Sequence, residues 1–193
     1  AGWLSRAAGR PCYNLDTFLC DPSVVVNSYL NHSNGCRVAV VEGNRRLYDG
    51  IDTDGSTSTS ELAKLLDLPV LLVLDCTKST RTMAALLMGC MHFDPKINIC
   101  GVVLNRVAGK RHEGKVRANI EKFCGVPVLG ALPKLGEADF PERHMGLVTS
   151  AEHTFSGKAI DAAVQVVEDH IDLNRLYKKV LDLSAAGESS EHR

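Results

Sequence analysis

Apolar residues gather along this chain in four short, nearly unbroken runs, at residues 36–41, 70–75, 97–105 and 126–132, with segments of helical length between them. Runs of this kind, β-branched and without polar alternation, suit strands covered on both faces of a parallel sheet. Helical spacers between such strands are the mark of β-α-β units. The expected fold class is therefore α/β, with a doubly wound, mostly parallel sheet. Residues 79–91 predict a helix whose apolar face carries Met83, Leu86, Leu87 and Cys90, and residues 111–123 predict one striped by Val116, Ile120 and Phe123. A longer helical pattern over 156–183 offers Ile160, Val164, Val167, Ile171 and Leu176 as its buried side. Residues 184–193 then have the composition of a linker or disordered tail, so one domain is expected over 1–183.

Composition narrows the class. With 193 residues and 45% hydrophobic content the chain can bury a proper core. A formal net charge of -1 supplies no electrostatic reason to bind nucleic acid or an anionic membrane surface. Seven cysteines are odd in number, scattered and mostly set among apolar neighbours, which reads as reduced thiols of a cytoplasmic protein rather than a disulfide framework. No CxxC pair argues for a zinc site. No uncharged apolar run approaches the ~20 residues that cross a bilayer, and the N-terminus does not read as a signal peptide.

Candidate chemistry starts after the first apolar run. Val40-Val41-Glu42-Gly43-Asn44-Arg45-Arg46-Leu47-Tyr48-Asp49-Gly50 sets two carboxylates on a glycine-bounded loop at what would be the carboxyl end of a strand, where ligands collect in open α/β sheets. Gly43 and Gly50 allow sharp turns and close approach. By residue type alone the loop is either an acidic ligand site or an ordinary solvated turn. Downstream, Gly55-Ser56-Thr57-Ser58-Thr59-Ser60-Glu61-Leu62 opens a helical pattern, and Pro69-Val70-Leu71-Leu72-Val73-Leu74-Asp75 reads as a buried strand.

Taken with Gly9-Arg10-Pro11-Cys12-Tyr13-Asn14-Leu15-Asp16 upstream and Pro141-Glu142-Arg143-His144-Met145-Gly146-Leu147-Val148 downstream, these segments closely resemble the cobyrinic acid a,c-diamide synthases. That family lies within the wider group of dethiobiotin-synthetase-like amidoligases. The resemblance runs in order from about Gly9 to about His153. It implies a P-loop NTPase-like domain of a glutamine-dependent ligase, in which ATP activates an acetate side chain of a tetrapyrrole to an acyl phosphate. Ammonia released from glutamine then converts that group to an amide. ATP, magnesium and a glutamine amidotransferase domain are the implied cofactors and partner. The family's GxxxxGK[ST] loop is not in this sequence. Ala108-Gly109-Lys110-Arg111 and Ser156-Gly157-Lys158-Ala159 lack both the upstream glycine and the following hydroxyl residue. The expectation is a partial domain that starts after the phosphate loop, ends before the amidotransferase domain, and is inactive alone. Apolar surface left by an absent first strand would favour a homodimer.

The resemblance also assigns residues. Glu42 matches the family's acid near magnesium and the γ-phosphate; hard oxygen ligands suit that ion. Asp49, in the Leu-Tyr-Asp-Gly element with Tyr48, matches the aspartate near the reacting carboxylate and the incoming ammonia, where it would orient or deprotonate the nucleophile. Asn44-Arg45-Arg46 departs from the small and apolar residues common there. The two guanidinium groups would pair with substrate carboxylates or simply face solvent. This departure keeps open a siroheme-type or nickel-sirohydrochlorin amidase. Ser56 and Thr57 are placed to cap the following helix, whose N-terminus would favour a substrate carboxylate. Asp75, Lys78 and Arg81 share the next strand's edge, either in binding or in helix-start packing. Asn105-Arg106 ends the third run where related proteins read adenine, and an amide offers the donor and acceptor that this base requires. Arg143 and His144 are substrate-binding candidates, while His112, His153 and His170 show no metal-ligand spacing. Two rivals remain: a non-catalytic nucleotide-binding-like interaction domain, and a dethiobiotin-synthetase-like enzyme acting on a small diamine.

Overall fold

The computed structural model describes residues 2–135 and 156–190, so the expectations for Arg143, His144 and His153 lie outside the described residues. Two compact units, 1–68 and 69–193, share the span that the sequence assigns to a single amidoligase domain.

The first unit is helical and loop-rich. Helix α1 spans Gly2–Ala8 and α2 spans Pro22–Ser33, with Pro22 at its first turn, where a missing N–H costs nothing. The ring of His32 stacks on Tyr13 with centroids 3.5 Å apart. A long loop then leads to the short helix α3, Thr59–Leu65. Among the described residues of this unit only Val25, Gly55, Ser58 and Ser60 are buried.

Residues 36–41 are not a strand. They run as irregular backbone with Val38 42% and Val40 88% exposed. A strand is defined by the neighbour that satisfies its N–H and C=O groups, and no described segment pairs with this run. The apolar pattern expresses strand propensity without a ladder to fulfil it.

The second unit matches the expected β-α-β order. Strands β1 (Val70–Asp75), β2 (Ile99–Val107) and β3 (Val128–Pro133) form one parallel sheet in that spatial order. Helix α4 (Arg81–Phe93) crosses from β1 to β2, and α5 (Lys110–Cys124) from β2 to β3. This confirms the α/β class with a parallel sheet. The core is the central strand and what covers it: Val102, Val103 and Leu104 of β2, Met83, Ala84 and Leu87 of α4, and Val116 and Ile120 of α5 are all buried. Leu87, Leu104 and Ile120 are fully buried, each contributing ~1.5–3 kcal/mol relative to an exposed side chain. Leu86 and Phe123, expected on apolar faces, are half exposed instead, because α4 and α5 pack through a narrower stripe than their patterns offer. Helix α5 ends at Gly125 in the left-handed conformation (φ 67°), whose N–H bonds to the Glu121 carbonyl.

The long carboxyl-terminal pattern divides into α6 (Ser156–His170) and α7 (Leu173–Ser190). The break occurs where Ile171 forms a bridge with Gly130 of β3 and the Asp172 N–H bonds to the Leu129 carbonyl at 2.8 Å. A Cβ on Gly130 would lie 2.8 Å from the His170 carbonyl, so only glycine admits this approach. Residues 184–190 are helical, continuing α7 through seven residues of the stretch whose composition reads as a linker.

Candidate functional site

Glycine geometry organises the acidic loop of the first unit. A Cβ on Gly50 would stand 2.7 Å from both Cα and C of Gly55, and one on Gly55 (φ +69°) would stand 2.8 Å from the Tyr48 carbonyl oxygen. The two backbone stretches therefore lie directly on each other. Gly43 rests on the Thr59 side chain, where an added Cβ would approach to 2.7 Å. Hydrogen bonds knit the same segments: Thr59 Oγ1 donates to the Arg45 carbonyl at 3.2 Å, Arg45 Nη1 to the Gly50 carbonyl at 3.0 Å, and the Ser60 N–H to the Leu47 carbonyl at 2.8 Å. Beneath them the buried Ser58 and Ser60 hydroxyls pair at 2.8 Å, satisfying polar groups that would otherwise be costly to bury. The stretch carrying Glu42, Tyr48 and Asp49 is thus held against 55–60, with both carboxylates exposed and Tyr48 half-buried.

Two local expectations change. Helix α3 is capped by Ser58, whose hydroxyl accepts from the Glu61 N–H, and not by Ser56 or Thr57. Thr57 Oγ1 accepts from the Ile51 N–H at 3.2 Å, and the Ser56 hydroxyl and N–H both donate to Asp52. Those Ser56 bonds hold the Asp52 carboxyl below its ordinary range. Asp52 carried no expectation from sequence, although an acid four residues before a serine in a glycine-bounded turn is a readable signal. Arg45 spends one guanidinium nitrogen on the loop's own backbone, which favours a structural part for it over substrate pairing.

In the second unit, Asp75 and Asn105 are register partners at the carboxyl ends of β1 and β2. Thr77 donates to Asp75 Oδ1 through its hydroxyl at 2.5 Å and its N–H at 2.9 Å. With Arg106 Nη1 3.5 Å from the other oxygen, these bonds hold the exposed Asp75 carboxyl below the usual range, the Thr77 hydroxyl first among the causes. The Asn105 Oδ1 accepts from the Arg106 N–H at 2.9 Å, which fixes the amide's orientation and leaves its NH2 group as a donor. Arg106 has φ 58° and Lys78 φ 53°. Left-handed backbone at non-glycine residues persists only where the surroundings over-determine it, and gathers at functional sites. Arg81 does not join this cluster, lying over the Phe123 ring at 5.1 Å.

A polar cleft of about 370 Å³ lies along β3 and the α6–α7 junction, lined by Arg117, Gly130, His170, Asp172 and Arg175 among others. It includes none of the expected site residues. Arg117 is committed there to Glu113 at 2.7 Å and to the Val128 carbonyl at 2.6 Å, so strand-end geometry is the better guide to chemistry. All seven cysteines are free thiols. Cys76, fully buried, has its thiol pushed up to about 11 by that burial. Among the described residues no three His, Cys, Asp or Glu side chains are grouped to hold a metal, and no helix is long and apolar enough to cross a membrane. Magnesium retains much of its water and takes one or two carboxylates alongside phosphate oxygens, so a single exposed acid such as Glu42 fits that ion.

Comparisons with known proteins agree with this architecture. A family model described as an AAA domain matches residues 20–142. A cobyrinate a,c-diamide synthase of Magnetococcus marinus is 44% identical over 174 residues, covering 90% of this chain and 37% of the relative. A hydrogenobyrinate a,c-diamide synthase of Streptomyces coelicolor is 42% identical, covering 91% and 36% respectively. A cobyrinate a,c-diamide synthase of Archaeoglobus fulgidus is 38% identical, covering 91% and 38%. The chain thus spans under two-fifths of the length of these relatives. No solved structure matches it. The chain belongs to the AAA domain family, and the relatives it resembles along nine-tenths of its length are named as cobyrinate and hydrogenobyrinate a,c-diamide synthases.

Proposed function

We propose that this chain is the nucleotide- and substrate-handling part of a glutamine-dependent, ATP-using ligase that amidates acetate side chains of cobyrinic acid or a close tetrapyrrole relative. The observation that carries this reading is the 38–44% identity to synthases of that name along about nine-tenths of the chain. The knitted loop supports the residue roles, because a reacting group held by glycine-to-glycine packing pays little reorganisation when substrate arrives.

A substrate carboxylate oxygen attacks the γ-phosphorus of ATP, forming an acyl phosphate and releasing ADP. Ammonia from a glutamine amidotransferase partner then attacks the acyl carbon, the C–O bond to phosphate breaks, and the nitrogen sheds a proton. Asp49 receives or directs that proton and orients the nucleophile. Glu42 would hold magnesium, which when bound neutralises phosphate oxygens. Asn105 offers its amide edge to adenine, with Arg106 beside it. The family resemblance makes Tyr48, Ser56, Thr57, Arg143 and His144 candidates for substrate binding. The relatives' names favour cobyrinate or hydrogenobyrinate over a siroheme-type acid.

The test uses the full-length protein with glutamine, ATP and a panel of tetrapyrrole acids, reading amide products by mass spectrometry. Asp49→Asn is expected to abolish amide formation with at most a few-fold loss of ATP affinity. Normal turnover by that variant would overturn the role of Asp49. No amidation of any tetrapyrrole acid by the unaltered protein would favour a non-catalytic interaction domain.

A further inference from the structure

One side chain joins the two strand-end loops of the second unit. His112, in the first turn of α5, accepts from the Ala108 N–H at its Nδ1 at 2.9 Å, while its Nε2 lies 2.6 Å from the Ser79 carbonyl. A backbone N–H can only donate, so Nδ1 is unprotonated and Nε2 carries the hydrogen that it donates to Ser79. The half-buried, neutral imidazole thus bridges the loop after β1 to the loop after β2, across 33 positions of sequence.

The strained backbone and the polar groups of the strand-end cluster lie in the first loop and at the end of β2 that leads into the second. Lys78, at φ 53°, directly precedes Ser79, and Arg106, at φ 58°, stands two residues before Ala108. The Ser79 N–H bonds to the Cys76 carbonyl at 3.1 Å, and the Cys76 N–H bonds to the Asn105 carbonyl at 2.9 Å. A closed circuit results: Asn105, Cys76, Ser79, His112, Ala108 and, through the chain, Arg106. Removing the imidazole opens the circuit and leaves two left-handed residues with less to over-determine them.

We infer that His112 is a positioning residue that fixes the separation of the two strand-end loops, and through them the presentation of Asn105 and Arg106 to a nucleotide base. Both ring nitrogens are spent on backbone groups, so the ring acts through the backbone that carries Asn105. This inference rests on the nucleotide-handling role of Asn105 proposed above.

The test compares the full-length protein with its His112→Ala and His112→Gln variants. His112→Ala is expected to raise the KM for ATP about tenfold, equivalent to ~1.4 kcal/mol, with kcat and the KM for the tetrapyrrole changed less than about twofold. Glutamine offers one acceptor and one donor, so His112→Gln is expected to recover most of the ATP KM. Unchanged ATP KM in His112→Ala, or no recovery in His112→Gln, overturns the inference. Should His112→Ala fail to fold, His112→Gln decides: a near-normal ATP KM supports the latch and a raised one overturns it. Amide hydrogen exchange at Ala108 gives a readout independent of activity. It is expected to be slow in the unaltered protein and at least tenfold faster in His112→Ala, and equal rates overturn the inference. If the unaltered protein proves not to use ATP, the functional reading fails by itself, and Ala108 exchange still decides the latch.

Discussion

Replacing Gly50 with alanine tests whether backbone-on-backbone packing holds the acidic loop. The added Cβ would meet Cα and C of Gly55 at 2.7 Å, well inside the ordinary contact range that begins at 3.4 Å, and both are main-chain atoms that no side-chain rotation can move aside. Overpacking of this kind costs ~1–3 kcal/mol. Relief by separating the two stretches would sacrifice the Thr59-to-Arg45 and Ser60-to-Leu47 hydrogen bonds, worth ~1 kcal/mol each. The first unit, in which Val25 is the one buried large apolar side chain among the described residues, has little reserve against such a loss. Urea unfolding followed through Trp3, the chain's one tryptophan, should show an unfolding free energy lowered by ~1–3 kcal/mol, seen as an earlier midpoint at an unchanged slope. Gly89→Ala is the matched control. It adds the same methyl within α4 where nothing lies within 4 Å, and should stabilise the second unit by ~1 kcal/mol through helix propensity, followed by far-ultraviolet circular dichroism because Trp3 belongs to the first unit. A Gly50→Ala curve that overlays the unaltered protein within ~0.5 kcal/mol would refute the packing argument.

Asp75 should titrate below the ordinary carboxylate range, because its folded form accepts two bonds from Thr77. A depressed folded pKa means the unfolded chain binds the proton more readily. The group therefore contributes stability above its unfolded value of about 3.8, lost as pH falls through the lower folded value. Carbon-13 NMR of the carboxyl should show this midpoint, and Thr77→Val should move it upward; an unmoved midpoint would sink the assignment of cause. Cys76, with its thiol pushed up to about 11, should resist alkylation near pH 8 while exposed Cys20 reacts first. Mass-spectrometric mapping after a short iodoacetamide pulse checks this, and equal labelling would contradict the burial argument.

Much of the second unit was legible in sequence because its signals are local. The run at 70–75 became β1 unchanged, though only Leu74 is buried there, and those at 97–105 and 126–132 became the largely buried β2 and β3 with edges shifted by one or two residues. Helices α4 and α5 followed their periodicity for the same reason. The first unit was misread at 36–41, because a β-branched run records only the ability to pair. Glu42, Tyr48 and Asp49 were readable as candidates from residue type, spacing and family likeness. Their roles belong to the functional proposal.

By itself the sequence determined the α/β order of elements and the family, and named the candidates for chemistry, because each depends on composition, periodicity or motif over a few neighbouring positions. Tertiary structure decided what those residues meet. It set Gly50 against Gly55, moved the helix cap from Ser56 and Thr57 to Ser58, broke the long carboxyl-terminal helix at Ile171 where Gly130 admits it, and gave His112 two backbone partners. These contacts join positions three to several tens of residues apart. Their energies depend on distances of a few ångströms that only the assembled backbone fixes.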